Sequence, residues 1–292
     1  MNWQPVIRHI EAATGQPFKL LTVQSLAGGD INATYRLQAE ERSFFVKLNR
    51  PERLAIFEAE AAGLEALSQT QTLRVPQFIV CGQSADHAFL VLEYIALTRL
   101  NSRSEQLLGQ QLAQLHRQQQ DYFGWYRDNT IGSTVQFNGS YQDWLSFWSE
   151  QRLEQQLALA AAHGYGGRLQ AQGEKLCANL APLFSGYSPQ PALVHGDLWG
   201  GNVAADEQGN PVIYDPACYF GDRETDLAMT ELFGGFSPAF YQAYQEAYPL
   251  EPSYDHRKTL YNLYHSLNHL NLFGGGYLHQ AETMIDQCLN YA

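Results

Sequence analysis

The 292-residue sequence has few cysteines and little positive charge. Its four cysteines, at positions 81, 177, 218 and 288, form no C-x-x-C pair, which argues against a zinc cluster or a disulfide framework and favours a reducing cytoplasm. Only 18 lysines and arginines stand against 30 aspartates and glutamates, a net charge of −12. This charge removes the electrostatic basis for general binding to a phosphate backbone, so we expect no nucleic-acid partner.

Long apolar runs are also missing. The N-terminal stretch "MNWQPVIRHIEAATGQPF" has no uninterrupted apolar region of signal-peptide length. The most apolar run, "AFLVLEYIAL", is too short to cross a bilayer and contains Glu93. Because 45% of the residues are hydrophobic and 16% are charged, the composition is that of an ordinary folded protein. We therefore expect a soluble cytoplasmic protein without a membrane partner.

Short β-rich runs dominate the first third of the chain. Strand-like runs lie near residues 21–26, 33–38 and 44–48, and glycines separate the first two. A helix follows from about 52 to 68, with Phe57, Ala61, Leu64 and Leu67 close to one face. Two further strand-like runs are "QFIVCG" and "AFLVLEY". This order predicts a small antiparallel sheet with one helix.

The pattern becomes helical from about Ser102, where Ser102 and Glu105 form a possible capping box. Further helices are predicted over 142–162 and around 174–183. Near the C-terminus, apolar residues at helical spacing predict a core-facing helix: Leu260, Leu263, Tyr264, Leu267 and Leu270. A chain of this length can form one large domain or two lobes with separate cores, and we expect an α+β protein with two lobes.

The segment "LVHGDLWGGNVAADEQGNPVIYDPACYFGD" (193–222) contains two short apolar runs around "DEQGNP", which predict a β-hairpin. If Ala205 pairs with Val212, Asn202 lies opposite Asp215 at the open end of the hairpin. An amide oxygen and a carboxylate are hard oxygen ligands suited to Mg²⁺, which takes its remaining ligands from water and phosphates. Asp197, in the turn entering the hairpin, is near enough to accept a proton from a substrate.

Aspartate and asparagine are individually common in turns, so each of these residues alone indicates only a turn. Together their spacing of five and then thirteen residues resembles the catalytic loop and metal-binding segment of the protein-kinase-like fold. In that fold the first Asp is the base, the Asn is a metal ligand and the second Asp is the principal Mg²⁺ ligand. The resemblance gives these roles to Asp197, Asn202 and Asp215.

A kinase also needs a glycine-containing phosphate loop, a strand lysine and a helical glutamate. Gly28 and Gly29 lie between the first two predicted strands, and Lys47 lies in "FFVKLN". Two glycines alone are weak evidence, and a strand lysine is commonly a solubility residue on an edge. At 100° per residue Glu60 flanks the apolar helix face, whereas Glu58 points toward solvent. Glu60 is therefore the predicted partner of Lys47.

Longer motifs make the resemblance more specific. The chain resembles the fructosamine kinase (ketosamine-3-kinase) family, relatives of aminoglycoside phosphotransferases within the protein-kinase-like fold. The motifs that carry the likeness are "FFVKLNR" (44–50), "FEAEAAGLEAL" (57–67), "DNTIG" (128–132), "LVHGDLWGGNV" (193–203) and "DPACYFGDRETDLAMTELFGGF" (215–236). An HGD motif with Asn five residues later is shared by many small-molecule kinases, whereas "HGDLWGGN" followed by "DPA" and "GDRE" is more particular to this family.

The resemblance implies ATP and Mg²⁺ as cofactors and phosphorylation of the C3 hydroxyl of fructosamines and related ketosamines, either as small molecules or on glycated proteins. It implies an ATP-binding lobe over 1–94 and a catalytic and substrate-binding lobe over 95–292. Lys47 would hold the ATP phosphates and Glu60 would orient it. The backbone of the hinge, Leu92, Glu93 and Tyr94, would contact adenine.

The resemblance extends to candidate substrate contacts at Trp199, which could stack on the sugar, and at Asp128 and Asn129, although a tryptophan is more often a packing residue. It also implies that Asp226, in "ETDLAM", braces the catalytic loop. His265 and His269 are one helical turn apart but lack the intervening glutamate of a metalloprotease helix, so we expect them to face a groove or solvent. Some family members carry a redox-active cysteine in the glycine loop, but here that loop is "AGGDIN".

Two other functions remain open. The same fold serves kinases that act on aminoglycosides, choline or sugars, and only the longer motifs disfavour them. A catalytically inactive nucleotide-binding protein is a second alternative. It is disfavoured because every position needed for catalysis holds a competent residue.

Overall fold

A five-stranded antiparallel sheet forms most of the first third of the chain in a computed structural model that describes residues 1–26 and 31–291. Its strands, in the order β1-β2-β3-β5-β4, are β1 (Thr22–Ser25), β2 (Ala33–Gln38), β3 (Ser43–Asn49), β4 (Phe78–Gln83) and β5 (Ala88–Glu93). Helix α1 (Gln4–Thr14) and helix α2 (Leu54–Gln69) complete this part. The predicted small antiparallel sheet is confirmed.

The two faces of this sheet bury different residues because side chains alternate along a strand. On β3, Phe44, Val46 and Leu48 belong to the apolar cluster that includes α1, whereas Phe45 packs on the cluster that includes α2. Lys47 is two residues after Phe45, so the two side chains lie on the same face of the sheet. Strand alternation therefore puts this lysine on the α2 face, although it stands in an otherwise apolar strand.

The rest of the chain is mainly helical, as expected for the second lobe. Its helices are α3 (Ser102–Leu115), α4 (Trp144–Trp148), α5 (Glu154–Ala162), α6 (Arg168–Cys177), α7 (Glu224–Leu232), α8 (Pro238–Ala247), α9 (Tyr254–Phe273) and α10 (Leu278–Tyr291). Short strands pair within it as β6 (Asn129–Ile131) with β7 (Thr134–Gln136), β8 (Ala192–Val194) with β11 (Tyr219–Gly221), and β9 (Val203–Ala205) with β10 (Pro211–Ile213). The five apolar residues predicted to face the core from α9 are all buried.

Two predicted helix ranges were wrong in detail. The range 142–162 is divided, because Asp143 caps α4 and a π-helical turn, Ser149–Leu153, separates α4 from α5. In that turn Arg152 is fully buried and donates to the carbonyl of Phe137 and to Asn138 Oδ1. The helix expected around 174–183 begins earlier, at Arg168, and ends at Cys177, before a short 3-10 turn that contains Pro182.

The N-terminal cap of α3 lies one residue earlier than predicted. The side chain of Asn101, rather than Ser102, accepts hydrogen bonds from the backbone amides of Arg103 and Ser104, each at 3.0 Å. The hydroxyl of Ser104 accepts from the Asn101 amide at 2.7 Å and so completes the box. Glu105 instead accepts from the Ser237 amide at 2.9 Å, which ties α3 to the start of α8.

Replacing Asn101 with alanine should lower the free energy of unfolding by about 1 kcal/mol, because the amides at the start of α3 lose their acceptor. Ser102→Ala is the matched control and should change the unfolding free energy by less than about 0.5 kcal/mol. Denaturant unfolding of both variants measures the difference. Equal losses would mean that the cap does not lie at Asn101.

Buried apolar residues form two clusters. The division between these clusters does not coincide with the lobe boundary predicted after Tyr94. The smaller cluster lies between α1 and the sheet. The larger one continues from α2 and the α2 face of the sheet into the helical part. At the junction, a Cβ on Gly63 of α2 would lie 3.2 Å from Pro216. The larger cluster therefore crosses the predicted lobe boundary, because α2 packs closely on the segment after Asp215.

All four cysteines are free thiols, and burial raises the pKa of the Cys218 thiol well above its ordinary value. Within residues 1–26 and 31–291, no helix combines the length and apolar character needed to cross a bilayer.

Candidate functional site

Lys47 joins two distant parts of the chain. Its Nζ lies 2.8 Å from Glu60 Oε1 and 2.5 Å from Asp215 Oδ1. Burial opposes the charge on Lys47, but the charges of Asp215 and Glu60 outweigh it and raise the pKa of Lys47 above its usual value. The contact at 2.8 Å confirms the predicted pairing with Glu60, whereas Glu58 is exposed. The additional contact with Asp215 was not predicted.

The hairpin that carries Asn202 and Asp215 has a different register from the predicted one. Ala205 pairs with Pro211 rather than with Val212, because Asp206 closes a tight turn by accepting from the Gln208 and Asn210 amides. Asn202 therefore faces Tyr214, whose amide donates to the Asn202 carbonyl at 3.1 Å.

Asp215 follows the hairpin in a left-handed conformation, with φ of 57°. Asparagine and aspartate enter this region more readily than most residues. This turn, rather than cross-strand pairing, directs the carboxylate to Lys47 Nζ.

Asp197 and Asn202 are in direct contact. Asn202 Nδ2 donates to the Asp197 carbonyl at 2.8 Å and to Asp197 Oδ2 at 3.0 Å. Burial raises the pKa of Asp197 to about 7, opposed by the hydrogen bond from Asn202 and reinforced by the negative charge of Asp215. A carboxylate with a pKa near 7 is matched to accepting a proton near neutral pH.

Asp226 on α7 holds the loop that carries Asp197. The two oxygens of Asp226 accept from the amides of His195 and Gly196, at 2.7 and 2.8 Å. Gly196 has φ of 83°, and a Cβ there would lie 2.1 Å from the carbonyl oxygen of Ala217. The bracing contact expected of Asp226 is therefore present, and the loop conformation requires glycine at 196.

Asp226 is itself fixed by groups that the sequence did not indicate. His116 Nε2 lies 3.2 Å from Asp226 Oδ2, and His116 Nδ1 lies 2.8 Å from the Tyr244 hydroxyl. Burial lowers the pKa of His116. Because a carboxylate only accepts, His116 donates to Asp226 from Nε2. At the start of α7, Glu224 pairs with Arg257 at 2.7 Å in a fully buried contact. No local pattern marks His116, because its partners are more than 100 residues away in sequence.

The donor set near the loop fits a magnesium ion that also binds nucleotide phosphates. The side-chain oxygen Oδ1 of Asn202 accepts no hydrogen bond from any described residue, because its amide nitrogen makes the contacts with Asp197. The Asp215 carboxylate is 46% exposed. Among the described residues, no cluster of three His, Cys, Asp or Glu side chains is arranged to hold a metal alone. Asn202 and Asp215 would thus need phosphate or water ligands, which is usual for Mg²⁺.

Two of the three predicted hinge residues, Leu92 and Glu93, belong to strand β5 of the sheet. Leu92 pairs with Phe45 of β3, and the Glu93 amide donates to the Gln77 carbonyl at 2.8 Å. The Glu93 amide is therefore not free for adenine, and Tyr94 is the predicted hinge residue that follows the strand. The predicted phosphate-loop residues Gly28 and Gly29 lie outside the described residues.

The three candidate substrate residues have different surroundings. Asn129 is buried, donates to the Cys218 carbonyl at 2.7 Å and accepts from Gln136 and Asn138, so its contacts support a structural role rather than substrate binding. Asp128 is exposed and accepts from the Asn138 amide at 2.8 Å. Trp199 is 38% exposed, and its ring lies over Gly201, where a Cβ would be 2.3 Å from the indole.

Comparison with known proteins gives a consistent result over nearly the whole chain. The family model described as fructosamine kinase matches residues 2–291. A "Probable ketoamine kinase" of Synechocystis is 50% identical over 98% of this chain and 97% of its own. The chloroplastic protein-ribulosamine 3-kinase of Arabidopsis thaliana is 42% identical over 97% of this chain and 87% of its own. A crystal structure from Haemophilus somnus, provisionally named a fructosamine-3-kinase, has a TM-score of 0.90 and 31% identity, covering 98% of this chain and 97% of that one.

Proposed function

We propose that this chain transfers the γ-phosphoryl group of ATP to the C3 hydroxyl of a ketosamine, because the chain belongs to the fructosamine kinase family. Relatives named for ketoamine and ribulosamine substrates support this acceptor class. The observation that carries the proposal is the convergence of Lys47, Glu60 and Asp215, which lie far apart in sequence and meet at one lysine nitrogen. A phosphoryl-transfer site needs this convergence, because its catalysis is mainly positioning and charge stabilisation.

On the acceptor side, Asp197 would take the proton of the C3 hydroxyl as that oxygen attacks the γ-phosphorus. The bond from this phosphorus to the bridging oxygen of ADP then breaks, and ADP leaves with the electron pair. Asn202 keeps the Asp197 carboxylate in place through its amide nitrogen. Asp226 would hold the same loop through two backbone amides.

On the nucleotide side, Lys47 would neutralise the α- and β-phosphates, with Glu60 holding its ammonium group. Asn202 and Asp215 would bind Mg²⁺, which when bound neutralises phosphate charge as the γ-phosphoryl group is transferred. We propose residues 1–94 as the nucleotide-binding lobe, with Gly28 and Gly29 in its phosphate loop and the hinge backbone near Tyr94 meeting adenine. Residues 95–292 would form the catalytic and substrate-binding lobe.

The acceptor would be a ketosamine formed from a sugar and an amine, as a free small molecule or on a glycated protein. The location that we propose is the cytoplasm, supported by the four free thiols. A panel of acceptors with radiolabelled ATP tests the function: a fructosamine, a ribulosamine, a glycated protein, kanamycin and choline. Turnover of kanamycin or choline without turnover of any ketosamine would contradict the proposal. Mg²⁺-dependent ATP binding without transfer to any acceptor would favour an inactive nucleotide-binding protein.

Lys47 and Glu60 should behave as one unit in positioning ATP. We expect the loss in kcat/KM for ATP in the double variant Lys47→Ala/Glu60→Ala to be smaller than the sum of the two single losses, by roughly 0.5 to 3 kcal/mol. The reason is that each single variant already breaks the 2.8 Å contact.

The matched control pairs Lys47→Ala with Glu58→Ala, because Glu58 lies on the exposed side of the same helix. Those two losses should add within about 0.5 kcal/mol. Strict additivity of Lys47→Ala and Glu60→Ala would mean that the contact does not support ATP binding.

A further inference from the structure

Three segments in which an aromatic residue precedes consecutive glycines meet beside the catalytic loop. They are "WGG" (199–201), "FGG" (233–235) and "FGGG" (273–276). The Trp199 ring lies 6.0 Å from Phe233, and the His269 ring lies 5.0 Å from Phe233, 5.4 Å from Phe273 and 5.2 Å from Tyr277, between ring centroids. These five residues form what we call the aromatic cluster. The repeated pattern is visible in the sequence, but only the fold brings the rings together.

The aromatic cluster faces solvent to an unusual degree. Trp199, Phe233 and Phe273 are 38%, 43% and 63% exposed, although large exposed apolar groups are normally kept scattered. Elsewhere, arginines cover aromatic faces, such as Arg36 over Tyr94 and Arg223 over Tyr248. Over the ranges 1–26 and 31–291 no lysine or arginine lies over a ring of the aromatic cluster. A cation from outside the protein would therefore compete with no described lysine or arginine for these rings.

His269 adds a hydrogen-bond acceptor to these rings. Its Nδ1 lies 2.7 Å from the carbonyl oxygen of His265. A carbonyl can only accept, so Nδ1 carries a proton, and in the tautomer with that single ring proton Nε2 keeps its lone pair. That Nε2 has no hydrogen-bond partner among the described residues. Burial lowers the pKa of the neighbouring His265 to about 3, so no positive charge arises there to repel a cation.

The aromatic cluster begins close to the reacting hydroxyl. Trp199 is two residues after Asp197, which limits their Cα separation to about 7 Å. In a ketosamine the amine nitrogen is four bonds from the C3 oxygen, a distance of about 5 Å or less. An acceptor whose C3 hydroxyl contacts Asp197 thus brings its amine within reach of the Trp199 side of the cluster.

The amine of a ketosamine is an aliphatic secondary amine and carries a positive charge and N–H donors when protonated. Aromatic faces attract such a cation, and a histidine lone pair accepts its N–H group. We propose that Trp199, Phe233, Phe273 and His269 form the subsite for the protonated amine of the ketosamine. This inference rests on the proposed function, and it makes the amine, in addition to the sugar, a determinant of specificity.

The test compares Phe233→Leu, which keeps an apolar side chain but removes the π face, with Phe233→Tyr, which keeps the face. The substrate is the fructosamine of butylamine, and the neutral probe is the 1-O-butyl ether of fructose, used as a competitive inhibitor. We expect Phe233→Leu to raise KM for the fructosamine by about 5- to 30-fold, because a desolvated cation–π contact has that effect on affinity. The kcat and the inhibition constant of the ether should change by less than about threefold.

Tyr291→Leu is the matched control, because Tyr291 is an exposed ring that stacks on His256 at 4.2 Å, about 20 Å along α9 from His269. It and Phe233→Tyr should leave KM for the fructosamine within about threefold of the parent. Equal loss of fructosamine and ether binding in Phe233→Leu would overturn the inference and indicate only apolar packing, and so would an unchanged KM. A parent protein that phosphorylates no ketosamine would instead contradict the proposed function.

Discussion

Asp215→Ala is expected to reduce kcat for phosphoryl transfer by at least about 10³-fold, because the site would lose the carboxylate proposed as the main Mg²⁺ ligand, whose charge stabilisation is several kcal/mol. The same change removes one of the two carboxylates that Lys47, which is buried, contacts among the described residues. Steady-state assays at saturating ATP over a range of Mg²⁺ concentrations measure the effect. The concentration of Mg²⁺ needed for half-maximal residual activity should rise.

Alanine at 215 has a second consequence that must be separated from metal binding. The residue has φ of 57°, where an alanine side chain is strained by about 1 kcal/mol or more. Asp215→Asn tolerates this conformation but removes the charge, so it should lose a similar factor in kcat while keeping the melting temperature closer to that of the parent. A variant at 215 with near-normal kcat in Mg²⁺ would refute the metal assignment.

Asp206→Asn is the control for a charge change in the same hairpin. Asp206 lies at the turn, where it accepts from two backbone amides and pairs with Arg74 at 3.4 Å. We expect this variant to lose stability, because burying an amide there weakens the turn, but to keep kcat per folded molecule within about threefold. A 10³-fold loss in Asp206→Asn would show that the effect at 215 is not specific to the metal ligand.

Asp197→Asn should reduce kcat by about 10² to 10⁴-fold, the usual contribution of a positioned general base. An asparagine can still present a carbonyl oxygen to Asn202 Nδ2, so the contact at 3.0 Å can be retained. The affinity for ATP should change much less, because its proposed contacts are Lys47, the hinge and the metal ligands. The melting temperature should stay near that of the parent, or rise, because burial disfavours the charged form of Asp197.

Asp226→Asn is the comparison for Asp197→Asn, because Asp226 holds the loop that carries the proposed proton acceptor. It replaces one of the two oxygens that accept from the His195 and Gly196 amides, so both kcat and stability should fall. If Asp197→Asn behaved in the same way, unfolding the protein or weakening ATP binding as much as it slowed the reaction, Asp197 would be a structural residue. The base would then have to be another group.

Local periodicity was sufficient for several features of the site. Helix geometry predicted that Glu60 rather than Glu58 meets Lys47, because this rule follows from backbone geometry over a few residues. The motifs around Asp197, Asn202 and Asp215 indicated the family and the fold, since their spacing is itself a property of the sequence. The roles of these residues remain predictions.

Other features depended on local hydrogen-bond geometry that the residue pattern does not specify. The hairpin register followed from how Asp206 closes the turn, and a shift of one residue places Tyr214 rather than Asp215 opposite Asn202. The helix cap moved to Asn101, because several neighbouring polar residues could each serve and small differences in geometry select one.

Sequence alone thus determined the chemistry available to this protein, through residue types at fixed spacings, and the secondary structure that follows from short-range periodicity. Tertiary structure decided which of those residues touch: Lys47 with Asp215, His116 with Asp226, and Trp199 with Phe233. These contacts join residues that are separated along the chain by many turns and strands. They form only when burial of the shared core compensates the entropy of closing such long loops, so no local pattern records them.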